Sequence, residues 1–343
     1  MKEVIVEKRL VGEIVRHLPR RPAVDGPAEV SLTDFDPRGR DFLAVAADGL
    51  SEEIATGLYA DPYTIGWMTV MSPMSDLAAA GARPLGVSVM LNLPVDLRRA
   101  ERAALARGMG GACRALGTVV LGGDTNVSGQ YVVGACAIGL VSKDRVVTRA
   151  GARAGDLLYL SGRAGLGNAY ALSRFDPANT LQSFPFRPQA RLAFGELLGR
   201  YASCSMDTSD GVIATLDELS RVNGAGFVIS ESPNMVLDRR TVNECIRRHL
   251  PPWMALAGCH GEFEIVCSVR PASESAFLAA ARKRGLTPVK LGRVVKGRGV
   301  SLAWGGKAVP IDSGWLRNRA AAAAGDVEAY IRDLAKYAAK VER

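Results

Sequence analysis

Histidine is scarce in this 343-residue chain, and the three present, His17, His249 and His260, are scattered. A histidine-based zinc or iron centre therefore lacks ligands, whereas hard, oxygen-ligated ions such as magnesium remain compatible. Cysteine is also sparse: Cys113, Cys136, Cys204, Cys245, Cys259 and Cys267 include no Cys-x-x-Cys pair and sit mostly among apolar neighbours, so they read as reduced core residues. Long apolar runs are missing. The stretch from Tyr131 to Val141 is interrupted by glycine and too short to span a bilayer, so no membrane span is expected. The first residues, Met1 to Arg9, mix both signs of charge and lack the apolar core of a secretory signal, which leads to an expected cytoplasmic location. No Walker loop or dinucleotide fingerprint occurs, and Gly162-x-x-Gly165-x-Gly167 is only a loose glycine cluster. Basic residues come as isolated pairs, Arg20-Arg21, Arg98-Arg99, Arg239-Arg240 and Arg247-Arg248, without interleaved aromatics. Despite a net charge of +8, nucleic acid is thus disfavoured, and a small anionic substrate suits the charge better.

What is present is a soluble globular composition, 48% hydrophobic and 23% charged, on a chain longer than one core usually supports. Two domains and a small appendage are expected. The basic, glycine-rich segment Thr148 to Asp156 lacks apolar periodicity and marks a boundary, which divides the chain into residues 1–150, 151–316 and a tail at 317–343. Residues 42 to 47 read as a buried strand ended by Asp48-Gly49. Tyr63 to Ala80 reads as a helix that Pro73 should break or restart, leaving Ser75 and Asp76 near a helix start. Val119 to Leu121 reads as a short strand entering a Gly-Gly-Asp turn, and Gly211 to Val222 as a helix. Phe263 to Val269 reads as a strand on which Glu262 and Glu264 would be exposed alternates. In the tail, Val327, Tyr330, Ile331, Leu334 and Tyr337 recur at helical spacing, so an amphipathic helix should dock on its own chain.

Three acidic settings carry the chemistry: Ser75-Asp76, Gly122-Gly123-Asp124-Thr125-Asn126, and Asp207-Thr208-Ser209-Asp210-Gly211. A nucleoside triphosphate needs divalent ions bridging its phosphates to protein oxygens, and short carboxylates at loop edges hold an ion close to the backbone. The helix expected after Asp210 would add backbone donors for phosphate. Gly122 and Gly123 would allow close backbone approach, and Arg149 could neutralise a phosphate bidentately. Each residue also has a plain structural reading. Asp76 and Asp210 suit helix N-caps, Asp124 a turn, Arg149 a solvated loop and Trp315 a hydrophobic anchor.

Taken in order, these segments resemble the thiamine-monophosphate kinases of the aminoimidazole-ribonucleotide-synthetase-like (PurM-like) superfamily. The resemblance rests on Ser75-Asp76-Leu77-Ala78-Ala79-Ala80-Gly81-Ala82-Arg83-Pro84, Gly122-Gly123-Asp124-Thr125 and Thr148-Arg149-x-Gly151-Ala152-x-x-Gly155-Asp156. It continues through Arg187-Pro188-x-x-Arg191, Met206-Asp207-x-Ser209-Asp210-Gly211 and Gly261-Glu262. It implies an α/β (α+β) fold of two domains with a dimerising N-terminal sheet, and an enzyme that uses ATP and Mg2+ on a small phosphate-bearing substrate. It further implies that Asp48, Asp76, Asp124, Asp207 and Asp210 hold metal, with Asp210 the candidate catalytic residue. Gly122, Gly123, Asp124, Thr125, Arg149 and Ser209 would contact the nucleotide, and Glu262 and Trp315 the substrate. The chain departs from the family pattern at Gly26-Pro27-Ala28, where a Gly-Asp-Asp motif is absent and Asp25 or Glu29 could substitute. It departs also at Ala46-Ala47-Asp48, at Ala55 in place of a substrate-contacting histidine, and at Phe263 in place of a carboxylate. Two alternatives accompany the kinase reading: an ATP-dependent ligase or cyclase of the same superfamily, and a nucleotide-binding protein without catalysis.

Overall fold

The computed structural model describes residues 29–34, 36, 38–174, 186–304, 307–322 and 326–341, so Asp25 and the 26–28 stretch fall outside it. Its first part contains β1 (Ser31–Thr33), β2 (Asp41–Gly49), α1 (Ser51–Ala55), α2 (Pro62–Ala79), β3 (Arg83–Pro94), α3 (Arg99–Leu116), β4 (Val120–Ser128) and β5 (Val132–Ser142). The strands form one sheet in the order β1-β2-β5-β3-β4. Pairing is antiparallel except between β3 and the edge strand β4.

Helix α2 positions the site. Asp61 caps it by accepting a hydrogen bond from the Thr64 N–H at 2.9 Å, and Pro62 occupies the first turn, where its missing N–H costs nothing. Contrary to the sequence expectation, Pro73 does not break it, so Ser75 and Asp76 lie near the helix end. The helix is buried on nearly every face, and packing on all sides outweighs one lost backbone bond. It meets α3 through backbone: a Cβ on Gly66 would lie 2.0 Å from the Leu105 carbonyl oxygen, and one on Gly108 2.1 Å from that of Tyr63.

The second part holds β6 (Leu157–Leu160), α4 (Leu166–Arg174), α5 (Leu192–Tyr201), β7 (Ala202–Asp207), α6 (Val212–Asn223), β8 (Gly226–Ile229), α7 (Pro233–Val236), α8 (Arg239–Arg247) and α9 (Met254–Ala257). After these come β9 (Ile265–Val269), α10 (Glu274–Lys283), β10 (Val289–Val295), β11 (Gly299–Trp304), β12 (Lys307–Ile311), α11 (Ser313–Ala322) and α12 (Val327–Val341). The seven strands run β12-β11-β8-β10-β6-β9-β7. The expected two-sheet α+β architecture is present. The two halves share α2, whose Ala79 carbonyl accepts from the Ser205 hydroxyl of β7 at 2.5 Å.

Three local expectations are corrected. The Gly-Gly-Asp segment is not a turn but the middle of β4; glycine serves there because a Cβ on Gly123 would sit 2.0 Å from the Val89 carbonyl oxygen of β3. Glu262 and Glu264 are not exposed alternates of a strand, being 4% and 1% exposed. Between them Phe263 takes a left-handed conformation, φ 63°, which breaks the period-two alternation before β9 begins. Asp76 and Asp210 are not N-caps, since Asp76 lies in the last turn of α2 and Gly211 caps α6. The tail helix α12 docks on its own chain as its periodicity predicts, with Leu334 and Ala338 buried in the second core. Helix α11 runs continuously across residue 317, where the tail was expected to begin. Among the described residues no helix is long and apolar enough to cross a membrane.

Candidate nucleotide and metal site

Carboxylates from both sheets converge on one cavity of about 330 Å3. Asp48 comes from the end of β2. Ser72 and Asp76, one helical turn apart on α2, and Asp207, the last residue of β7, face it with Ser209 and Asp210 of the loop before α6. Glu29 and Arg149 complete this wall. Oxygens of Glu29, Asp76 and Asp207 all lie within 4.8 Å of one another. Serine hydroxyls orient the acids: Ser72 donates to Asp48 at 2.8 Å, Ser75 to Asp207 at 2.5 Å, and Ser209 to Asp207 at 3.2 Å. Arg149 grips Glu29 with two N–H groups, the Nε contact at 2.9 Å. On the outer rim Arg317 of α11 reaches Asp210 at 3.6 Å.

So many acids in one place disfavour ionisation. Burial, then the charges of Glu29, Asp210 and Asp48, lift Asp207 to about 7 even though the Ser75 hydroxyl opposes the shift. Burial followed by the Asp207 charge pushes Asp76 well above the carboxylate range. Glu29 and Asp48 are raised, chiefly by burial. A divalent cation would relieve all of these at once, and an all-oxygen donor set suits a hard ion.

The loop carrying Ser209 and Asp210 is fixed by backbone contacts. The Thr208 N–H donates to the Glu264 carbonyl at 2.8 Å and the Gly261 N–H to the Ser209 carbonyl at 2.9 Å. Only glycine fits at 261, where a Cβ would fall 1.5 Å from the Thr208 carbonyl oxygen. Arg191 clamps the buried Glu264 carboxylate, its Nε at 3.0 Å, which links the Arg187-Pro188-x-x-Arg191 motif to this loop. The rest of the lining is largely apolar and aromatic, with Leu50, Tyr59, Met68, His260 and Phe263. The Tyr59 hydroxyl and His260 Nε2 are hydrogen-bonded at 3.2 Å, and burial lowers His260 to about 4, so its ring is neutral near pH 7.

Of the residues singled out in the sequence, Asp48, Asp76, Arg149, Asp207, Ser209 and Asp210 come together here. Gly122, Gly123, Asp124 and Thr125 do not; they are exposed on the edge strand β4, with Asp124 accepting from the Asn126 amide at 2.6 Å. Glu262 does not line the cavity either. Its carboxylate accepts from the N–H groups of Gly165 at 3.0 Å and Gly167 at 2.8 Å, and burial raises it to about 7. Trp315 lies in a separate groove, stacked on Tyr337 with centroids 4.9 Å apart and planes at 15°. Sequence reasoning missed Ser72, Glu53, Tyr59, His260 and Arg317. Ser72 could have been found four residues before Asp76 on an unbroken helix. Tyr59 and His260, 201 positions apart, leave no local signal.

Family models match both parts of the chain. Residues 30–141 match the AIR synthase related protein N-terminal domain, and residues 153–305 the C-terminal domain. The thiamine-monophosphate kinase of Nitrosopumilus maritimus is 29% identical over 259 residues, 73% of this chain and 81% of that one. The Halobacterium salinarum enzyme of the same name is 32% identical over 221 residues, covering 64% of this chain and 73% of its own length. A solved structure, AaThiL complexed with AMPPCP and TMP, superimposes with a TM-score of 0.70 at 22% identity, covering 88% of this chain and 93% of that chain. The chain belongs to the AIR synthase related family and, within it, to the thiamine-monophosphate kinase-like proteins, which makes it an ATP-dependent kinase.

Proposed function

We propose that the protein transfers the γ-phosphoryl group of ATP, in the presence of Mg2+, to an oxygen of a small phosphate-bearing acceptor of the thiamine monophosphate kind, and that it does so as a cytoplasmic homodimer. The convergence of Glu29, Asp48, Asp76, Asp207 and Asp210 with Arg149 on one cavity carries this reading. Phosphoryl transfer needs positioning and charge neutralisation more than a protein nucleophile, and this wall offers carboxylate oxygens for cations and a guanidinium for phosphate. Bound Mg2+ would neutralise the polyphosphate. Glu29, Asp76 and Asp207 are the residues that would hold it, with Asp48 and Asp210 beside them and Asp210 nearest the solvent. Glu29 would take the place of the carboxylates absent at 26–28.

The homodimer accounts for the exposed Gly122-Gly123-Asp124-Thr125 segment. Strand β3 and the edge strand β4 beside it leave Leu85, Met90, Val120, Leu121 and Val127 exposed, an apolar surface that a second copy would cover. Such pairing would carry Asp124 toward a nucleotide from the partner side. We place the division between the two catalytic domains at Ala150–Gly151, with residues 317–343 as an added tail.

Purified protein incubated with ATP, Mg2+ and thiamine monophosphate should yield the diphosphate and ADP, resolved by phosphorus NMR. Asp76→Asn should lower kcat/KM about 100-fold or more. ADP and inorganic phosphate released without a phosphorylated acceptor would point instead to a ligase or cyclase. Nucleotide binding without turnover would rule the kinase out.

A further inference from the structure

Six carboxylates line the cavity, and the lining cation, Arg149, is occupied by Glu29. A second cation approaches from outside the lining. Arg317 projects from α11 with its side chain only 12% exposed and meets the half-exposed carboxylate of Asp210 at 3.6 Å. That separation marks an ion pair longer than a charge-assisted hydrogen bond.

The base of Arg317 is held firmly. Two residues before it Trp315 is stacked on Tyr337 of α12, and two residues after it Arg319 pairs with Asp333 of α12, its Nε at 2.7 Å. Helix α12 reaches the cavity wall itself, where the Tyr330 hydroxyl lies 3.2 Å from the sulfur of Cys259. The C-terminal helix pair therefore delivers one guanidinium to the rim at a fixed height.

We propose that Arg317 is a positioning residue that neutralises Asp210 in the metal-free protein and turns its N–H donors to a phosphate oxygen once a divalent cation has taken Asp210. This rests on the metal and nucleotide reading of the same cavity. It makes two opposite demands. Arg317 opposes a cation binding alone, because like charge must be displaced from Asp210. It favours the cation together with polyphosphate, because it then gains an anion.

Calorimetric titration of the full chain with Mn2+ alone, and with a non-hydrolysable ATP analogue at saturating Mn2+, tests both. Arg317→Gln should bind Mn2+ alone about fivefold more tightly and the analogue about tenfold more weakly. Arg317→Met should repeat both changes and serves if the first variant misfolds, while Arg317→Lys should stay close to the parent for Mn2+ alone. Weakening of both ligands would mark a purely structural residue, and no change in either would mark a bystander; both outcomes overturn the proposal. Asp210→Asn separates the levels. If it leaves Mn2+ affinity unchanged, the metal reading at Asp210 fails and this proposal with it. If it weakens Mn2+ while Arg317→Gln does not strengthen it, the site stands and the role of Arg317 falls.

Discussion

Asp207 is the residue on which folding and function pull in opposite directions. It is 2% exposed, beside Ser75 and within the Glu29 and Asp76 cluster, and its folded-state pKa of about 7 lies above its ordinary 3.8. A raised carboxyl favours the folded state while protonated, so its contribution is present below about pH 4 and is lost as pH climbs through about 7. Glu262, also lifted to about 7, acts in the same direction. His260, lowered from 6.5 to about 4, acts oppositely and costs stability as pH falls through that window. Metal-free protein should therefore melt at lower temperature at pH 8 than at pH 6. At pH 8 Asp207→Asn should be the more stable by about 2 kcal/mol, measured by denaturant titration. Added Mg2+ should stabilise the parent and not the variant. A variant less stable than the parent at pH 8 without metal would contradict the charge crowding described.

Helices α2 and α3 show what a pattern can and cannot tell at the next scale. Their contact runs through Gly66 and Gly108, so Gly108→Ala must separate two backbones and should cost about 3 kcal/mol. Gly110→Ala on the same helix meets only the far end of the Arg114 side chain at 3.4 Å and should instead stabilise by about 0.5 kcal/mol. Equal effects of the two substitutions on the denaturation midpoint would show that the close crossing is absent. Periodicity and composition revealed α2, α6 and α12, because each buries a stripe or a full surface that its own sequence encodes. They misread Pro73 because the packing that retains it comes from the sheet and neighbouring helices. They misread Gly122-Gly123 because glycine for close strand pairing looks the same as glycine for a turn. The acidic half of the cavity was legible since short motifs carry Asp76, Asp207 and Asp210. The aromatic part was not, since Tyr59 joins His260 and Phe263 only when the two sheets meet.

At the scale of the whole molecule, the exposed apolar residues of β3 and β4 and the outlying Asp124 give one expectation. Met90→Asp with Val127→Asp should shift the sedimentation profile from dimer to monomer and weaken nucleotide binding about tenfold, leaving the circular dichroism of the chain unchanged. A variant that stays dimeric would mean another surface pairs the copies. Within one chain, α2 fills the core beneath the first sheet while Ala78 and Ala79 pack into the cluster that includes Phe194 and Ile265 of the second part. Neither sheet can swing away without stripping this helix from its seat, which opposes a hinged opening of the cavity. Opening the slot between the sheets would expose this shared apolar seat to water, so access to the cavity is tied to the same contacts that hold the two parts together.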